Sequence, residues 1–411
     1  MKILFLAHRI PYPPNKGEKI RSYHELKFLG GRHTVDLLCF ADSKEESEGQ
    51  KELRSMCREI YVETRGSASI VAGGMRSLLR GEALSCGCFY SSKFQKEVDR
   101  ALANGSYDII FAYCSSMLQY LPASSSVPIV ADFVDVDSAK WAQYARRTSI
   151  PLSWVFEREA RKMAEYELKW IELSGATIVT TAQEAALLHV GDASRIEVIA
   201  NGVQMPKPGA KELSEEIRAL QPYVLFIGTM DYLPNADAVE HFAKDILPLI
   251  RKQHPELNFV IGGRNPSRRV RSLGKLAGVI VTGTLPEVDS YLSGCSAVVA
   301  PFRIAQGIQN KLLEALAAAK PVVSTSGPAL AIGARNGETL LIADTPQEFA
   351  SAVLTLLDQP EMHSRFDNGP DFVRKHFSWH ENLNQLERVL QRVAGPSPAA
   401  EQVTLDHAKA S

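Results

Sequence analysis

The chain has 411 residues, of which 45% are hydrophobic and 23% are charged, and its formal net charge is -1. This length favours two domains of ordinary size, and the near-neutral charge excludes the large basic surface of a typical nucleic-acid-binding protein. We therefore expect a soluble globular protein with no nucleic-acid partner.

The N-terminal residues MKILFLAHRIPYPP contain too few consecutive apolar residues for a signal peptide, and we predict a first strand there. No run approaches the roughly 18 apolar residues of a membrane-spanning helix. We expect a cytoplasmic protein, and peripheral contact with the inner face of the plasma membrane stays open. The six cysteines lack the spacing of a zinc site, which favours free thiols.

Short apolar runs alternate with amphipathic helical stretches along most of the chain. Strands that are apolar on both faces and separated by helices are typical of parallel sheets covered on both sides, so the fold class is α/β. In chain order the predicted strands are KILFL, TVDLLCF, YDIIFAY, PIVADFV, ATIVTT, IEVIA, YVLFIG, NFVIGG, GVIVTG, AVVAP, PVVST and LLIA.

The alternation is interrupted at VIANGVQMPKPGAKEL, residues 198–213, and resumes at Tyr223. The two halves begin alike, with ILFLAHRIPYPPN and VLFIGTMDYLPN, which predicts two facing Rossmann-like domains. An amphipathic helix and a polar, proline-containing tail follow, and we expect the tail to be disordered. The predicted bounds are 1–205 for the first domain, 206–376 for the second, 377–394 for a helix returning to the first domain, and 395–411 for the tail.

The stretch AQGIQNKLLEALAAAKPVV, residues 305–323, predicts a helix that begins with glycine and amide residues between two strands. A helix start at the carboxyl edge of a parallel sheet attracts anions. Gly307 lets a ligand approach the backbone, and Lys311 adds a positive charge, so this start suits a diphosphate. The carboxylate of Glu314, one turn further on, offers two acceptor oxygens to the hydroxyls of a ribose.

The pattern Gly-x-x-x-Lys-x-Leu-Glu-Ala-x-Ala-x-x-Lys-Pro-Val-Val resembles the donor-site element of the retaining GT-B glycosyltransferases of family four. The motifs PYPPNKGEKIRS, DVDS and GIQNK are most similar to those of its sugar transferase group associated with exosortase and PEP-CTERM exopolysaccharide systems. The resemblance implies a GT-B fold and a hexosyltransferase that moves a sugar from a nucleotide diphosphate sugar to a lipid-linked exopolysaccharide precursor. It also implies retention of configuration, with no metal and no cofactor.

The resemblance implies a donor site in the second domain and an acceptor side in the first. Arg264 in IGGRNP and Arg303 in APFRIAQG are candidates for binding the diphosphate, with a solvated loop arginine as the alternative for each. Many family members carry an acid where this chain has Gln306. The implied donor-binding residues are Gly228, Arg303, Gln306, Gly307, Ile308, Gln309, Asn310 and Glu314, and the implied catalytic residues are Arg264, Lys311, Asp135 and Asp137.

In the first domain, the resemblance implies that Gly17 and Lys19 form an acceptor-side loop, which His8 also lines. The family's histidine near the end of the strand PIVADFV is replaced by Val134, so its role would pass to a nearby aspartate such as Asp132, Asp135 or Asp137. Two alternatives for the Asp135-Val136-Asp137 triplet are a metal site of GT-A type and a helix cap before Ser138.

Residues 65–83 mix three arginines with apolar residues and glycines, so they predict either contact with anionic lipid or a loop or helix packed on the domain. Two rivals to the transferase stay open, a non-hydrolysing nucleotide-sugar epimerase and a non-catalytic nucleotide-sugar-binding protein. A dehydrogenase is disfavoured because no Gly-x-Gly-x-x-Gly follows the first strand.

Overall fold

The computed structural model describes residues 1–14, 17–188, 190–206, 213–304 and 307–395. It divides into two compact units: Met1–Ala200 with the chain from His380 onward form unit 1, and Asn201–Trp379 form unit 2. The chain passes between units at residues 200 and 379, against predicted domain bounds at 205 and 376. Apart from Gly395, the predicted tail lies outside the described residues.

Unit 1 is built on a sheet of seven strands in the order β3-β2-β1-β4-β5-β6-β7, and every adjacent pair is parallel. Residues Ile3 to Ala7 of the first strand are fully buried, as expected of a strand covered on both faces. The strands are β1 (Lys2–Ala7), β2 (Thr34–Ala41), β3 (Glu59–Thr64), β4 (Ile109–Tyr113), β5 (Ile129–Val134), β6 (Ala176–Val179) and β7 (Ile196–Val198).

The helices of unit 1 connect these strands as parallel crossovers. They are α1 (Gly17–Gly30), α2 (Lys44–Ser47), α3 (Gln50–Leu53), α4 (Ser67–Leu79), α5 (Leu84–Gly87), α6 (Ser92–Asn104), α7 (Asp137–Arg146), α8 (Leu152–Leu173) and α9 (Ala182–Leu187). Short 3₁₀ turns occupy Ser115–Tyr120 and Ala193–Arg195.

Unit 2 repeats the same plan with a six-stranded parallel sheet in the order β10-β9-β8-β11-β12-β13. Its strands are β8 (Tyr223–Ile227), β9 (Asn258–Gly262), β10 (Val279–Gly283), β11 (Ala297–Ala300), β12 (Val322–Ser324) and β13 (Leu341–Ile342). Its helices are α10 (Glu215–Arg218), α11 (Leu233–His241), α12 (Leu247–Ile250), α13 (Arg268–Leu273), α14 (Val288–Gly294), α15 (Asn310–Ala317), α16 (Ser326–Ala331), α17 (Pro346–Asp358) and α18 (Gly369–His376), with a π-helical turn at Phe242–Ile246 and a 3₁₀ segment at Pro360–Phe366.

Each sheet reverses its strand order once, between β1 and β4 in unit 1 and between β8 and β11 in unit 2. In open parallel sheets, ligands bind outside the carboxyl ends of the strands at such a point. We therefore expect a donor site in unit 2 to be formed by the loops after β8 and β11 and by the start of α15.

The last helix, α19 (Trp379–Ala394), packs on unit 1. Glu387 on this helix bonds the imidazole of His33 at 2.8 Å, and Arg392 contacts Glu197 at 2.7 Å. Gly175 faces Val393 so closely that a Cβ on the glycine would lie 2.5 Å from a valine methyl. The C-terminal helix is therefore an integral part of the first unit.

Within the described part of the chain, no helix combines the length and the apolar character needed to cross a bilayer. The six cysteines, all of them described, carry free thiols, as predicted.

Candidate functional site

Helix α15 begins without a side-chain cap. Its N-cap residue, Gln309, makes no capping hydrogen bond with its side chain. Gly307, two residues earlier, has a φ of 63°, a left-handed conformation that glycine adopts without strain. Because α15 follows β11, its first turn lies at the carboxyl edge of the sheet, where amide groups at a helix start attract anions.

Lys311 is held on the first turn of α15 by one hydrogen bond and two aromatic rings. Its ammonium donates to Oδ1 of Asn235 at 2.6 Å and lies 4.7 Å from the ring centres of both Phe226 and Phe302. Burial lowers the pKa of Lys311 to about 7, although the Glu314 carboxylate acts in the opposite direction. A bound anion would restore the charge, because the protonated form gains most from a diphosphate.

Asn235, which positions that ammonium, was not among the predicted residues. It lies on the first turn of α11, and its Nδ2 donates to the carbonyl of Thr229 at 2.9 Å, which fixes its oxygen toward Lys311. The sequence shows the Pro-Asn pair of YLPNADAV, but no local pattern indicates that Asn235 contacts Lys311, which lies 76 positions later in the chain. A Cβ on Gly228 would lie 2.7 Å from Asn235 Nδ2 and 3.2 Å from Lys311 Nζ, so the glycine leaves room for this pair.

Glu314 lies close enough to Lys311 for the two charges to affect each other. Its side chain is partly buried, and burial raises its pKa, an effect that Lys311 opposes and Asp289 reinforces. A partly buried carboxyl group next to a cation can accept hydroxyl hydrogen bonds in a site shielded from bulk water. The helix therefore brings together the two predicted residues with the clearest chemical roles.

The two candidate arginines differ. Arg264 is partly buried directly after β9, and its carbonyl accepts a bond from the amide of Met230 at 2.8 Å, which ties it to the loop after β8. The guanidinium of Arg303 instead forms a two-pronged pair with the carboxylate of Asp237, with Nε at 3.0 Å from Oδ2. That pair neutralises the charge of Arg303 and favours a structural role for it.

The remaining donor-side residues surround the helix start. Ile308 and Gln309 are partly buried, and Asn310 accepts a long hydrogen bond of 3.5 Å from Asn201. Gln306 lies outside the described residues.

In unit 1, His8 is buried at the end of β1. Its ring stacks on Tyr113 at 5.8 Å and meets Phe89 edge-on at 5.5 Å. Burial, followed by the charges of Arg9 and Arg65, lowers the pKa of His8 to about 3, so the imidazole is neutral. Among the residues that the structure describes, no group bonds its buried Nδ1. A neutral ring at a strand's carboxyl end can offer that nitrogen to a ligand hydroxyl.

The other two acceptor-side candidates differ in their surroundings. Lys19 is only 1% exposed, and its ammonium lies 2.9 Å from a carboxylate oxygen of Glu46. This ion pair favours a structural role for Lys19 over the predicted role in an acceptor-side loop. Gly17 begins α1, and a Cβ there would meet nothing within 4 Å, so the described fold does not itself require a glycine.

The Asp135-Val136-Asp137 triplet lies at the start of α7. Asp137 is the first helical residue, accepts a hydrogen bond from Ser115 Oγ at 3.0 Å and pairs with Lys140. The cap alternative is wrong in detail, because the N-cap position is Val136 and its side chain makes no capping bond. Burial raises the pKa of Asp135 to about 6, with the Lys140 charge acting against it and Asp137 adding to it.

Two glutamates that the sequence reasoning missed support this triplet. Glu167 of α8 accepts the amide of Ser138 at 3.1 Å and so takes the place of a cap. Glu184 of α9 accepts the amide of Val136 at 3.3 Å and the hydroxyl of Thr180 at 2.6 Å. The sequence Thr-Ala-Gln-Glu at the start of α9, with Thr181 as the N-cap, resembles a capping box. That pattern predicts that Glu184 caps its own helix and gives no indication of its contact with Val136.

Asp132, the third aspartate considered, belongs to the buried interior. It binds Arg21 at 2.8 Å from Nε and 2.7 Å from NH2, and it accepts the amide of Val134 at 2.9 Å. Val134 itself has a φ of 66°, a costly conformation for a β-branched residue. The backbone between Asp132 and the triplet is thus held in a strained conformation.

The described residues include no group of three or more His, Cys, Asp or Glu side chains arranged to hold a metal ion. Among the described residues, the Asp-x-Asp triplet is therefore not part of such a group, although Glu167 and Glu184 bond the backbone amides next to it.

A comparison with protein families identifies the domain that contains the Lys311 site. The family described as glycosyl transferases group 1 matches residues 221–359, which lie within unit 2. Over these residues, unit 2 is similar to the group 1 glycosyltransferases. Lys311, Glu314, Asn235 and Gly228 all lie inside the matched residues.

Two relatives and one solved structure extend the comparison. A D-inositol 3-phosphate glycosyltransferase from Rhodococcus erythropolis is 24% identical over 261 residues, 58% of this chain and 58% of that protein, so the match spans little more than half of the relative. An uncharacterized 44.6 kDa protein in the cps region of Klebsiella pneumoniae is 20% identical over 376 residues, 86% of this chain and 90% of that protein. HepE from Anabaena, solved with UDP and glucose, superposes with a TM-score of 0.66 at 17% identity, covering 95% of this chain and 99% of HepE.

The likeness to HepE covers both units and confirms the predicted fold. The chain has two Rossmann-like domains with parallel sheets, of the GT-B type.

Proposed function

We propose that this chain is a glycosyltransferase that moves a sugar from a nucleotide diphosphate sugar to a lipid-linked exopolysaccharide precursor. The observation that carries the proposal is the placement of Lys311 on the first turn of α15, beside the reversal point of the sheet in a group 1 glycosyltransferase domain. The HepE structure contains UDP and glucose, which supports a nucleotide-sugar donor. The Klebsiella relative in the cps region supports a polysaccharide acceptor.

The chemistry follows from the charges around the helix start. When the bond between sugar and diphosphate breaks, negative charge grows on the leaving phosphate, and cations and helix amides already in place stabilise it. Lys311 and the start of α15 supply this stabilisation, and Arg264 is the second cation of the proposal. Glu314 holds the ribose hydroxyls and so fixes the nucleotide in register.

We propose retention of configuration and no metal requirement, as the family resemblance implies. On the acceptor side, the neutral ring of His8 and the carboxyl groups of Asp135 and Asp137 lie at the carboxyl edge of the sheet of unit 1 and can bind hydroxyl groups. Attack by an acceptor hydroxyl on the face that the leaving group vacates needs orientation and charge stabilisation more than a protein nucleophile.

The direct test combines binding and turnover on the full chain. A panel of UDP, GDP, ADP and dTDP sugars should contain one donor that stabilises the fold by about 2.7 kcal/mol at 100 times its dissociation constant. The same donor should release nucleoside diphosphate when a polyprenyl-phosphate-linked acceptor is added, and EDTA should leave the rate unchanged. Loss of the rate in EDTA with recovery in Mn²⁺ would assign a metal to the site, whereas binding without turnover on any acceptor would favour a non-catalytic binding protein.

Replacing Glu314 by alanine should weaken nucleotide binding about tenfold to a hundredfold, because hydrogen bonds to a charged group typically contribute about 1.5–3 kcal/mol. Isothermal titration calorimetry with the nucleoside diphosphate of the accepted donor measures the change. Glu338→Ala is the matched control, since Glu338 is an exposed glutamate of the same unit whose carboxylate pairs only loosely with Arg335 at 3.5 Å. Equal affinities for Glu314→Ala and the wild type would give Glu314 a structural role.

A further inference from the structure

Large apolar side chains are exposed along one face of α4. Val71 is 67% exposed, Met75 55%, Leu78 47% and Leu79 82%. Their spacing of four, three and one positions places them on a single stripe of the helix. Most amphipathic helices of a globular domain bury such a stripe, but here it faces outward.

The opposite face of α4 makes the contact with the domain. Gly73 packs against α5 so closely that a Cβ would lie 2.0 Å from the carbonyl oxygen of Gly87, and Ser77 is buried on the same side. The inward face is therefore small and partly polar, while the outward face is large and apolar. In a helix selected only for folding, the large apolar side chains would face the domain and the small polar ones would face the solvent.

A second exposed apolar segment lies at the start of α8. Ile150 is 64% exposed, Leu152 48%, Trp154 62% and Val155 43%. An exposed tryptophan is uncommon in a soluble domain, and tryptophan is enriched where one end of a side chain meets lipid and the other meets water.

The two segments are neighbours. Arg158, one turn beyond Trp154, donates to the carbonyl of Glu82 at 3.1 Å. Glu159 accepts the amides of Leu84 and Ser85 at 2.8 and 2.7 Å. These bonds fix the chain that leaves α4 against the first turns of α8, so the two apolar segments belong to one region of unit 1.

The same region carries excess positive charge. Segments 65–83 and 146–162 together contain eight lysines and arginines against three acidic residues, in a chain with a net charge of -1. Arg80, Arg146 and Arg147 are exposed at the edges of the apolar segments. We call the outward residues of 71–80 and 146–155 the apolar-basic surface.

We propose that the apolar-basic surface binds an anionic lipid bilayer, with α4 and the start of α8 lying in the headgroup region. Apolar side chains of this size gain free energy by leaving water, and each arginine near a negatively charged bilayer adds to the attraction. A second copy of the chain fits less well, because a two-fold contact through this surface would place its arginines against one another. The proposal goes beyond the proposed function and does not depend on the identity of the donor.

The test is co-sedimentation of the full chain with vesicles, without any nucleotide sugar. Vesicles of equal parts phosphatidylglycerol and phosphatidylcholine should retain the protein, and pure phosphatidylcholine should retain at least tenfold less. Raising the salt from 0.1 to 0.5 M should weaken binding, because screening shortens the reach of the charges. Leu79→Asp with Trp154→Asp should reduce the partition coefficient at least tenfold.

Matched variants separate the two contributions. Leu276→Asp with Leu330→Asp changes two exposed leucines of unit 2, 39% and 54% exposed, and should leave vesicle binding unchanged. Arg146→Gln with Arg147→Gln should reduce binding to the anionic vesicles about thirtyfold, or about fivefold for each charge. This charge variant keeps the apolar side chains, so it tests the proposal even if the aspartate variant folds poorly.

Three results would overturn the proposal. The first is equal binding to neutral and anionic vesicles, and the second is an equal loss of binding in the unit 2 control. The third is a wild-type protein that does not bind vesicles but forms a dimer in light scattering, which Leu79→Asp with Trp154→Asp converts to a monomer. Failure of the proposed glycosyl transfer would leave the vesicle result standing, since the vesicle experiment contains neither donor nor acceptor.

Discussion

Replacing Lys311 by alanine should lower the maximal rate of nucleoside diphosphate release by about a hundredfold or more, while donor affinity falls much less. The ammonium neutralises charge that grows on the diphosphate as the glycosidic bond breaks, so its effect is larger in the transition state than in the ground state. The contacts with Asn235, Phe226 and Phe302 hold it in place before the donor arrives. Steady-state kinetics on the purified variant measures both effects.

Lys320→Ala is the matched control for the loss of a lysine close to the same helix. The Lys320 ammonium donates to the carbonyl of Ser293 at 2.6 Å, and we expect a rate close to that of the wild type. A wild-type rate for Lys311→Ala would remove this residue from the catalytic machinery.

The lowered pKa of Lys311 adds a second readout to the same variant. With a pKa of about 7 in the free protein, the ammonium is fully charged below pH 6 and largely neutral above pH 8. A bound diphosphate favours the charged form, so binding takes up a proton above pH 7 and nucleotide affinity should decline as the pH rises. Lys311→Ala should remove that part of the pH dependence, which calorimetry in buffers of different ionisation enthalpy detects.

The strand pattern could be predicted from the sequence wherever both faces of a strand are buried. The twelve apolar runs correspond to twelve of the strands that the structure describes, and the exception is β3, Glu59–Thr64. That strand lies at the edge of its sheet, and its sequence EIYVET has only three apolar residues in a row, with Glu59, Tyr61 and Glu63 on one face and Ile60, Val62 and Thr64 on the other. A search for continuous apolar runs misses such a strand, because only one of its faces is apolar.

Side-chain roles were predictable where the local backbone dictates them. A glycine followed by a lysine at a helix start indicates an anion site from the chain direction alone, and the structure places Gly307 and Lys311 at such a start. Roles that depend on partners distant in sequence could not be predicted from the sequence. The Lys19–Glu46 and Arg303–Asp237 pairs join different elements, so the sequence shows only four charged residues and no pairing.

The first unit shows the same limit at its candidate site. The sequence indicates that Asp135 and Asp137 follow a strand, but their environment is set by Glu184 and Glu167, which lie on later helices. The strained φ of Val134 is also invisible in the sequence, since β-branched residues rarely adopt it. Local patterns therefore locate this site without describing its charge state.

A large effect on the free energy of unfolding is expected where two loops cross next to Lys311. The loop after β8 meets the loop after β9, with the amide of Gly228 bonded to the carbonyl of Gly262 at 3.0 Å. Gly263, the next residue, has a φ of 150°, and a Cβ there would lie 1.6 Å from the carbonyl oxygen of Gly228. No side-chain rotation can relieve that overlap, because the position of the Cβ is fixed by its own backbone and the atom that it meets is a backbone carbonyl oxygen.

Gly263→Ala should therefore lower the free energy of unfolding by about 3 kcal/mol or more, combining overpacking with backbone strain. Urea unfolding measures the loss, and Gly327→Ala is the matched control, since a Cβ on that helical glycine would meet nothing within 4 Å. Gly228→Ala should behave differently: its Cβ would press on the movable side chains of Asn235 and Lys311, so nucleotide affinity should fall more than stability. Equal unfolding free energies for Gly263→Ala and Gly327→Ala would show that the two loops do not cross as closely as the structure places them.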